Sequence, residues 1–343
     1  MSLPHTALLL GGSGYVGSAL ARVLTRRGDR VCIADLQPSA AMPHAFARCD
    51  VRDADAVTAA MRDMGTLYLL AAEHGLEPRP RLRFEETNVG GAHAVAAAAR
   101  RTGLERIVLT STVAVYGLPG TTVTEDSPCR PINDYGRTKL AAEEILRAWA
   151  AEDPARTLVV IRPTVVFGPG VRGSMRALFH QLAAPRFRFI GDGSNRKSFA
   201  QVENLAHFHA HAASLPPGTH LFNYADGPDL TMHELASVLR SALQLDPPGP
   251  SRGPMAAYVR AALEQWLVPF GAPAPDWTVA RIRRFLADSR FVSSRVAATG
   301  FVAPLGLREA LTSYARSDLR WTAGRVRVEH AFSPRPPSDV PVA

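Results

Sequence analysis

Short, wholly apolar runs separated by longer amphipathic stretches set the rhythm of the first half of this chain. Ala7-Leu8-Leu9-Leu10 lacks the polar alternation of a half-solvated strand and runs straight into glycines, which predicts a parallel strand covered on both faces and ending in a tight turn. Tyr15 to Leu24 then returns its apolar residues at helical spacing. The succession recurs. Val31-Cys32-Ile33-Ala34 is a second strand ending in Asp35, and Ala45-Phe46-Ala47-Arg48 leads to Asp50-Val51. Thr66-Leu67-Tyr68-Leu69-Leu70 is a fourth strand ending in Ala71-Ala72, and Asn88-Val89-Gly90-Gly91 precedes an alanine-rich helix that runs to about Arg101. Arg106-Ile107-Val108-Leu109 is a fifth, with Thr110-Ser111-Thr112 at its carboxyl end, and Ile161-Arg162-Pro163-Thr164-Val165-Val166-Phe167 is a sixth that leaves through Gly168-Pro169-Gly170. Strands alternating with helices argue for an α/β, doubly wound parallel sheet.

The first turn has chemical content. In Gly11-Gly12-Ser13-Gly14-Tyr15-Val16-Gly17, the first glycine permits the turn, Gly14 lets a pyrophosphate approach backbone N–H groups, and Gly17 lets helix and sheet pack closely. Asp35 follows about twenty residues on, where a carboxylate hydrogen-bonds ribose hydroxyls and repels a 2′-phosphate. The fold is therefore expected to be Rossmann-type and the cofactor NAD. No arginine follows within several residues of Asp35 to soften that preference. The expected cofactor-lining set is Gly11, Gly14, Tyr15, Val16, Gly17, Asp35, Asp50, Val51, Ala71, Ala72, Asn88, Tyr135, Lys139 and Pro163. Tyr135 and Lys139 stand four residues apart and share a helix face. A phenol is a poor base at its ordinary pKa of about 10, but a neighbouring ammonium and an oxidised nicotinamide both favour the phenolate. Such a phenolate takes a proton from an alcohol while hydride leaves the same carbon.

These residues resemble the extended short-chain dehydrogenase/reductase family, which holds nucleotide-sugar epimerases and dehydratases, from about residue 6 to about residue 320. The resemblance implies that the hydroxyl residue four before the tyrosine of Val115-Tyr116-Gly117, Thr112, is catalytic with Tyr135 and Lys139; Ser111 is the alternative one position away. It also implies that Gly191-Asp192-Gly193-Ser194-Asn195-Arg196-Lys197-Ser198-Phe199 contacts a sugar diphosphate. The family's arginine there is Lys197 in this chain, with Arg196 beside it, and lysine meets a diphosphate as a point charge without the bidentate fork. Leu69 to His74, Thr112 to Leu118, Ile161 to Gly168, Asn223 to Leu230 and Gly300 to Pro304 are similar to the bacterial 4-epimerases that act on N-acetylglucosaminyl-diphospho-undecaprenol. That implies interconversion of GlcNAc and GalNAc on a polyprenyl diphosphate by transient C4 oxidation, in O-antigen or related polysaccharide biosynthesis at the inner face of the cytoplasmic membrane. Two alternatives stay open: a UDP-sugar epimerase or dehydratase, and a net NAD(P)-dependent dehydrogenase of the hydroxysteroid type, which Val202-Glu203-Asn204-Leu205 resembles. A homodimer is compatible with either.

At 343 residues, 46% of them hydrophobic, the chain is long enough for a nucleotide-binding domain over 1–167, to which 197–225 returns, and a smaller C-terminal substrate-binding cap over 168–196 and 226–320. Residues 321–343, around Phe332-Ser333-Pro334-Arg335-Pro336-Pro337, lack core-forming side chains and read as a tail with a disordered end. Three cysteines without paired spacing suggest reduced thiols, and with no secretory leader or long apolar segment apparent the expected location is the cytoplasm. The net charge of +8 comes without a nucleic-acid-binding motif, so an anionic substrate or membrane surface is the expected partner, with Arg281, Arg283, Arg284, Arg290 and Arg295 the densest basic stretch. Of His207, His209 and His211 only the outer two share a helix face, with no carboxylate to complete a metal set, so no metal is expected. Met255, Val259, Leu263 (or Ala262), Trp266 and Phe270 recur at helical spacing; this stripe either packs into the cap or meets a bilayer.

Overall fold

The computed structural model of the chain describes residues 5–74, 80–118, 120–184, 187–267 and 278–319; the expected tail at 321–343 and Phe270 of the apolar stripe lie outside them. The chain runs β1 (Thr6–Leu10), α1 (Tyr15–Arg27), β2 (Arg30–Asp35), β3 (Phe46–Arg48), α2 (Ala54–Met61), β4 (Thr66–Leu69), α3 (Arg81–Phe84), α4 (Gly91–Thr102), β5 (Arg106–Thr110), α5 (Asp134–Ala151), β6 (Thr157–Pro163) and β7 (Val165–Phe167). It continues through α6 (Gly173–Leu182), β8 (Arg188–Ile190), β9 (Arg196–Gln201), α7 (Val202–Ala212), β10 (Gly218–Tyr224), β11 (Asp226–Thr231), α8 (Met232–Ala242), β12 (Gly249–Arg252), α9 (Pro254–Leu267), α10 (Val279–Leu286), α11 (Ser294–Ala298) and α12 (Leu307–Asp318).

Seven parallel strands form the central sheet in the order β10-β6-β5-β4-β1-β2-β3. The wholly apolar runs are explained by burial on both faces. Leu9, Ile33, Val108, Val159 and Ile161 point to the face covered by α1 and α7, while Leu8, Leu10, Ile107, Leu109, Leu158 and Val160 meet α2, α4 and α5 on the other. Each such side chain contributes roughly 1.5–3 kcal/mol on leaving water, so polar alternation would be costly on either face.

A second core lies beyond the carboxyl side of β6. The sequence from Ile161 to Phe167 reads as one strand but is two: β6 ends at Pro163, the Thr164 N–H bonds the Tyr224 carbonyl at 3.0 Å, and β7 joins a separate sheet of order β11-β9-β7. Phe167, Phe179, Phe199 and Tyr314 pack there, with Phe167 meeting Phe179 and Phe199 edge-to-face at 5.7 and 6.3 Å. The chain then returns through α7, which lies on α1, to β10 at the edge of the central sheet.

Candidate active site

Strand order reverses between β1 and β4, and a crevice opens there above the carboxyl ends of the strands. Gly11 lies at its floor with φ +85°, and a Cβ on it would stand 2.3 Å from the Ala71 nitrogen, so no other residue fits. A Cβ on Gly17 would fall 2.6 Å from the Gly12 Cα, which is how closely α1 seats on the turn. Gly14 differs: its nearest neighbour is the Gly11 carbonyl oxygen at 3.4 Å. It caps α1 without a side chain on the first N–H groups and without an acidic residue in the first turn. The positive end of a thirteen-residue helix therefore faces open space of the kind a pyrophosphate occupies. One Asp35 carboxylate oxygen accepts from the Ser13 N–H at 3.0 Å and the other from the Gln37 N–H at 3.1 Å, leaving each a lone pair for a ribose hydroxyl. These residues fit a dinucleotide.

The remaining cofactor-set residues divide by what their side chains do. Tyr15 and Val16 pack inward, and the Tyr15 hydroxyl is buried without a hydrogen-bond partner, so α1 offers only their backbone to the crevice. Val51 is core and touches Gly91; Asp50 is clamped by Arg52, whose guanidinium holds the carboxyl below its usual range. The Ala71 N–H donates to the Leu10 carbonyl at 2.8 Å, and Ala72 follows at the partly buried crevice edge. Pro163 ends β6 beside Tyr224. Asn88 lies in a π-helical turn, a feature common at functional sites, and its amide bonds both backbone groups of Glu73 and the Thr138 hydroxyl, tying the loop after β4 to α5. Arg48, distant in sequence, stands in register beside Asp35 through the β2–β3 pairing.

Thr112 opens a 3₁₀ turn over Val113–Tyr116, its hydroxyl accepting from the Ala114 N–H at 3.1 Å and facing the Tyr135 phenol, whose ionised form it favours. Asn133 caps α5 through the Gly136 N–H, which fixes the first turn from which Tyr135 projects; Lys139 follows, 2% exposed. The sequence predicts a phenol pulled down by Lys139. In the folded chain burial wins: it raises Tyr135, with the Thr112 hydroxyl offsetting part, and lowers Lys139 to about 8 against the opposing pull of Glu143. Ser111 is directed elsewhere, donating to Glu143 at 2.5 Å.

Sequence reasoning missed the polar layer beneath this pair. Glu143, fully buried, accepts from Arg162 Nε at 2.9 Å and Nη2 at 2.5 Å; Arg162 Nη1 donates to the Tyr116 hydroxyl at 2.7 Å, and that hydroxyl donates to Asn223 Oδ1 at 2.8 Å. Two signals were present: Glu143 repeats the Tyr135–Lys139 spacing once more, and Arg162 is a lone charge in an otherwise apolar strand.

Arg196 and Lys197 sit on β9 and are held by the protein itself. Arg196 Nη1 donates to the Asp229 carbonyl at 2.9 Å and lies 3.8 Å from Glu234; Lys197 Nζ donates to the Ala287 carbonyl at 2.5 Å. Arg290, in the strip following α10, pairs with Asp229 at 3.7 Å. His209 bonds Thr110 and the Leu205 carbonyl, and His211 bonds Thr299. The apolar stripe of α9 faces outward: Met255, Val259, Leu263 and Trp266 are 72%, 52%, 57% and 65% exposed, while Ala261 is buried. No helix among the described residues is long and apolar enough to cross a membrane.

A parallel sheet with a glycine turn at its reversal point is the architecture of dinucleotide-binding enzymes. The chain belongs to the NAD-dependent epimerase/dehydratase family, whose profile matches residues 7–223. It is 35% identical over 313 residues, 89% of this chain and 92% of the relative, to the N-acetyl-α-D-glucosaminyl-diphospho-ditrans,octacis-undecaprenol 4-epimerase of Escherichia coli O157:H7. It is 29% identical over 305 residues, 83% of this chain and 82% of the relative, to a 3β-hydroxysteroid dehydrogenase/Δ5→4-isomerase of Mycobacterium tuberculosis. Among solved structures, MoeE5 in complex with UDP-glucose and NAD superposes with a TM-score of 0.70 at 25% identity, covering 91% of this chain and 97% of that one.

Proposed function

We propose that this protein is an NAD-dependent 4-epimerase that interconverts GlcNAc and GalNAc carried on a polyprenyl diphosphate. The placement of Thr112 against Tyr135 above β5, with Lys139 one turn behind on α5, carries the chemical part of the reading. The sugar and its carrier rest on the near full-length relationship to the E. coli enzyme. Thr112 orients the C4 hydroxyl, and Tyr135 accepts its proton as the alcohol becomes a ketone, then returns it. Lys139 holds positive charge behind Tyr135. Bound NAD supplies a reversible two-electron acceptor whose oxidised ring is cationic, which favours the phenolate that burial alone opposes. Asp35 and the Gly11–Gly17 turn hold the dinucleotide, and the second core with β8, β12 and α9 forms the substrate cap.

The exposed α9 stripe supports peripheral contact with the inner face of the cytoplasmic membrane. A polyprenyl chain stays in the bilayer because each buried CH₂ is worth about 0.8 kcal/mol, so the enzyme must come to its substrate. Trp266 and its apolar neighbours supply a surface for that. With Arg196 and Lys197 anchored to backbone, their part in the diphosphate site is to shape the β9 edge and lend positive charge.

The test is product analysis by NMR with NAD at catalytic level. Conversion of GlcNAc to GalNAc without net NADH supports the reading. Stoichiometric NADH would move the chain to the net dehydrogenases, the competing outcome suggested by the hydroxysteroid relative.

A further inference from the structure

The Glu143 carboxylate is 0% exposed and fully engaged: Ser111 from the end of β5 and the Arg162 fork from β6 bond it, and Arg147 stands 3.6 Å away. It lies one turn beyond Lys139 on α5, about 5–6 Å away between Cβ atoms. We propose that Glu143 is a positioning residue for the reaction proposed above, its carboxylate fixed between β5 and β6 one turn from Lys139, so that its negative charge favours the ammonium behind Tyr135. The inference rests on the reading of Lys139 as the cationic partner of Tyr135.

A buried ammonium is disfavoured by desolvation, and burial draws Lys139 down to about 8, close to working pH; Glu143 is the charge that opposes this. The elements packed against α5 carry other charged or titratable groups: Arg81 and Arg83 on α3, Glu85 and Glu86 in the π turn, His93, Arg100 and Arg101 on α4, Tyr116, Arg162 on β6, and His220 and Tyr224 on β10. Among these, Arg162 alone is clamped to the same carboxylate, and Glu143 is the group that acts on Lys139. Arg162 and Ser111 hold the carboxylate between β5 and β6 without delivering it to Lys139. Removing Glu143 by itself would leave the Arg162 cation buried and unpaired, pushing Lys139 further toward its neutral form. Activity that needs an ammonium is lost as pH rises through the Lys139 pKa, so the alkaline limb of kcat/KM reports this effect directly.

The experiment measures kcat/KM against pH for wild type, Glu143→Gln, Glu143→Asp and the double variant Glu143→Gln/Arg162→Met, with NAD affinity and thermal melting on each. Glu143→Gln should move the alkaline limb down by about one to two pH units, the effect of one charge at about 6 Å and an effective dielectric of about 20. Glu143→Asp should restore most of it, and the double variant, which leaves no unpaired buried charge, should fall between. If Glu143→Gln does not fold, the aspartate and double variants still order the limb. An alkaline limb at the wild-type pH in the double variant would assign Glu143 a purely structural role and overturn the proposal while leaving the epimerase reading intact. Near-wild-type activity in Lys139→Met would overturn both.

Discussion

Two buried groups titrate in opposite senses, and their opposition can be measured. His209 on α7, 0% exposed, donates from Nδ1 to the Leu205 carbonyl at 2.8 Å and accepts at Nε2 from the Thr110 hydroxyl at 2.7 Å, directly beneath the Ser111-Thr112 segment. Burial lowers its pKa from 6.5 to about 4. The unfolded chain then binds more protons than the folded one between those values, so stability present above pH 6.5 is lost as pH falls toward 4. A gap of that size amounts to about 3 kcal/mol, at about 1.4 kcal/mol per pH unit. Asp226, at the start of β11, runs the other way. Burial raises it from 3.8 to about 6, against bonds from the Gln201 N–H, Asn204 and Tyr224, so stability fully present below pH 3.8 is lost as pH rises through 6, again about 3 kcal/mol. Between pH 6 and 4 the two nearly cancel in the wild type. Urea unfolding from pH 7 to 4.5 should therefore show His209→Gln gaining stability relative to wild type as pH falls, and Asp226→Asn losing it, each by about 2–3 kcal/mol across the range. Parallel curves for wild type and His209→Gln would refute the reasoning.

Tyr135→Phe should bind NAD and melt as wild type does, yet lose roughly two to four orders of magnitude in kcat; near-normal turnover would remove it as the base. NAD should bind ahead of NADP, and Asp35→Ala should narrow that gap by calorimetry, the more so because Arg48 lies in register beside it and can meet a 2′-phosphate. Equal affinity of the parent protein for both cofactors would count against Asp35 as the ribose ligand. Replacing Leu263 and Trp266 by Ser should weaken sedimentation with anionic liposomes at least several-fold while leaving melting unchanged, since both side chains are exposed; a lowered melting temperature with unaltered liposome binding would return the stripe to packing.

Local pattern made the central sheet and its first turn legible. Wholly apolar runs, glycines at 11, 14 and 17, and an acid closing the second strand each have one strong structural solution. What stayed hidden was set by distant partners. The split between β6 and β7 follows from β9 offering β7 a second sheet. The nearness of Arg48 to Asp35 depends on strand register, and the Glu143–Arg162 clamp joins an α5 residue to a neighbouring strand. Arg196 and Lys197 looked like free cations because nothing near them in sequence announces the Asp229 and Ala287 carbonyls that hold them. The α9 periodicity predicted an apolar face correctly, but a repeat along one helix does not say what covers it.

The measurement that bears most directly on the function is a side-by-side assay of GlcNAc-diphospho-polyprenol in vesicles and UDP-GlcNAc in solution, with enzyme and NAD held constant. The account predicts that the polyprenyl-linked sugar is epimerised at least tenfold more efficiently, and that Trp266→Ser raises its KM without changing NAD affinity. Equal or better turnover of UDP-GlcNAc would contradict it and place the protein with the epimerases of soluble sugar nucleotides.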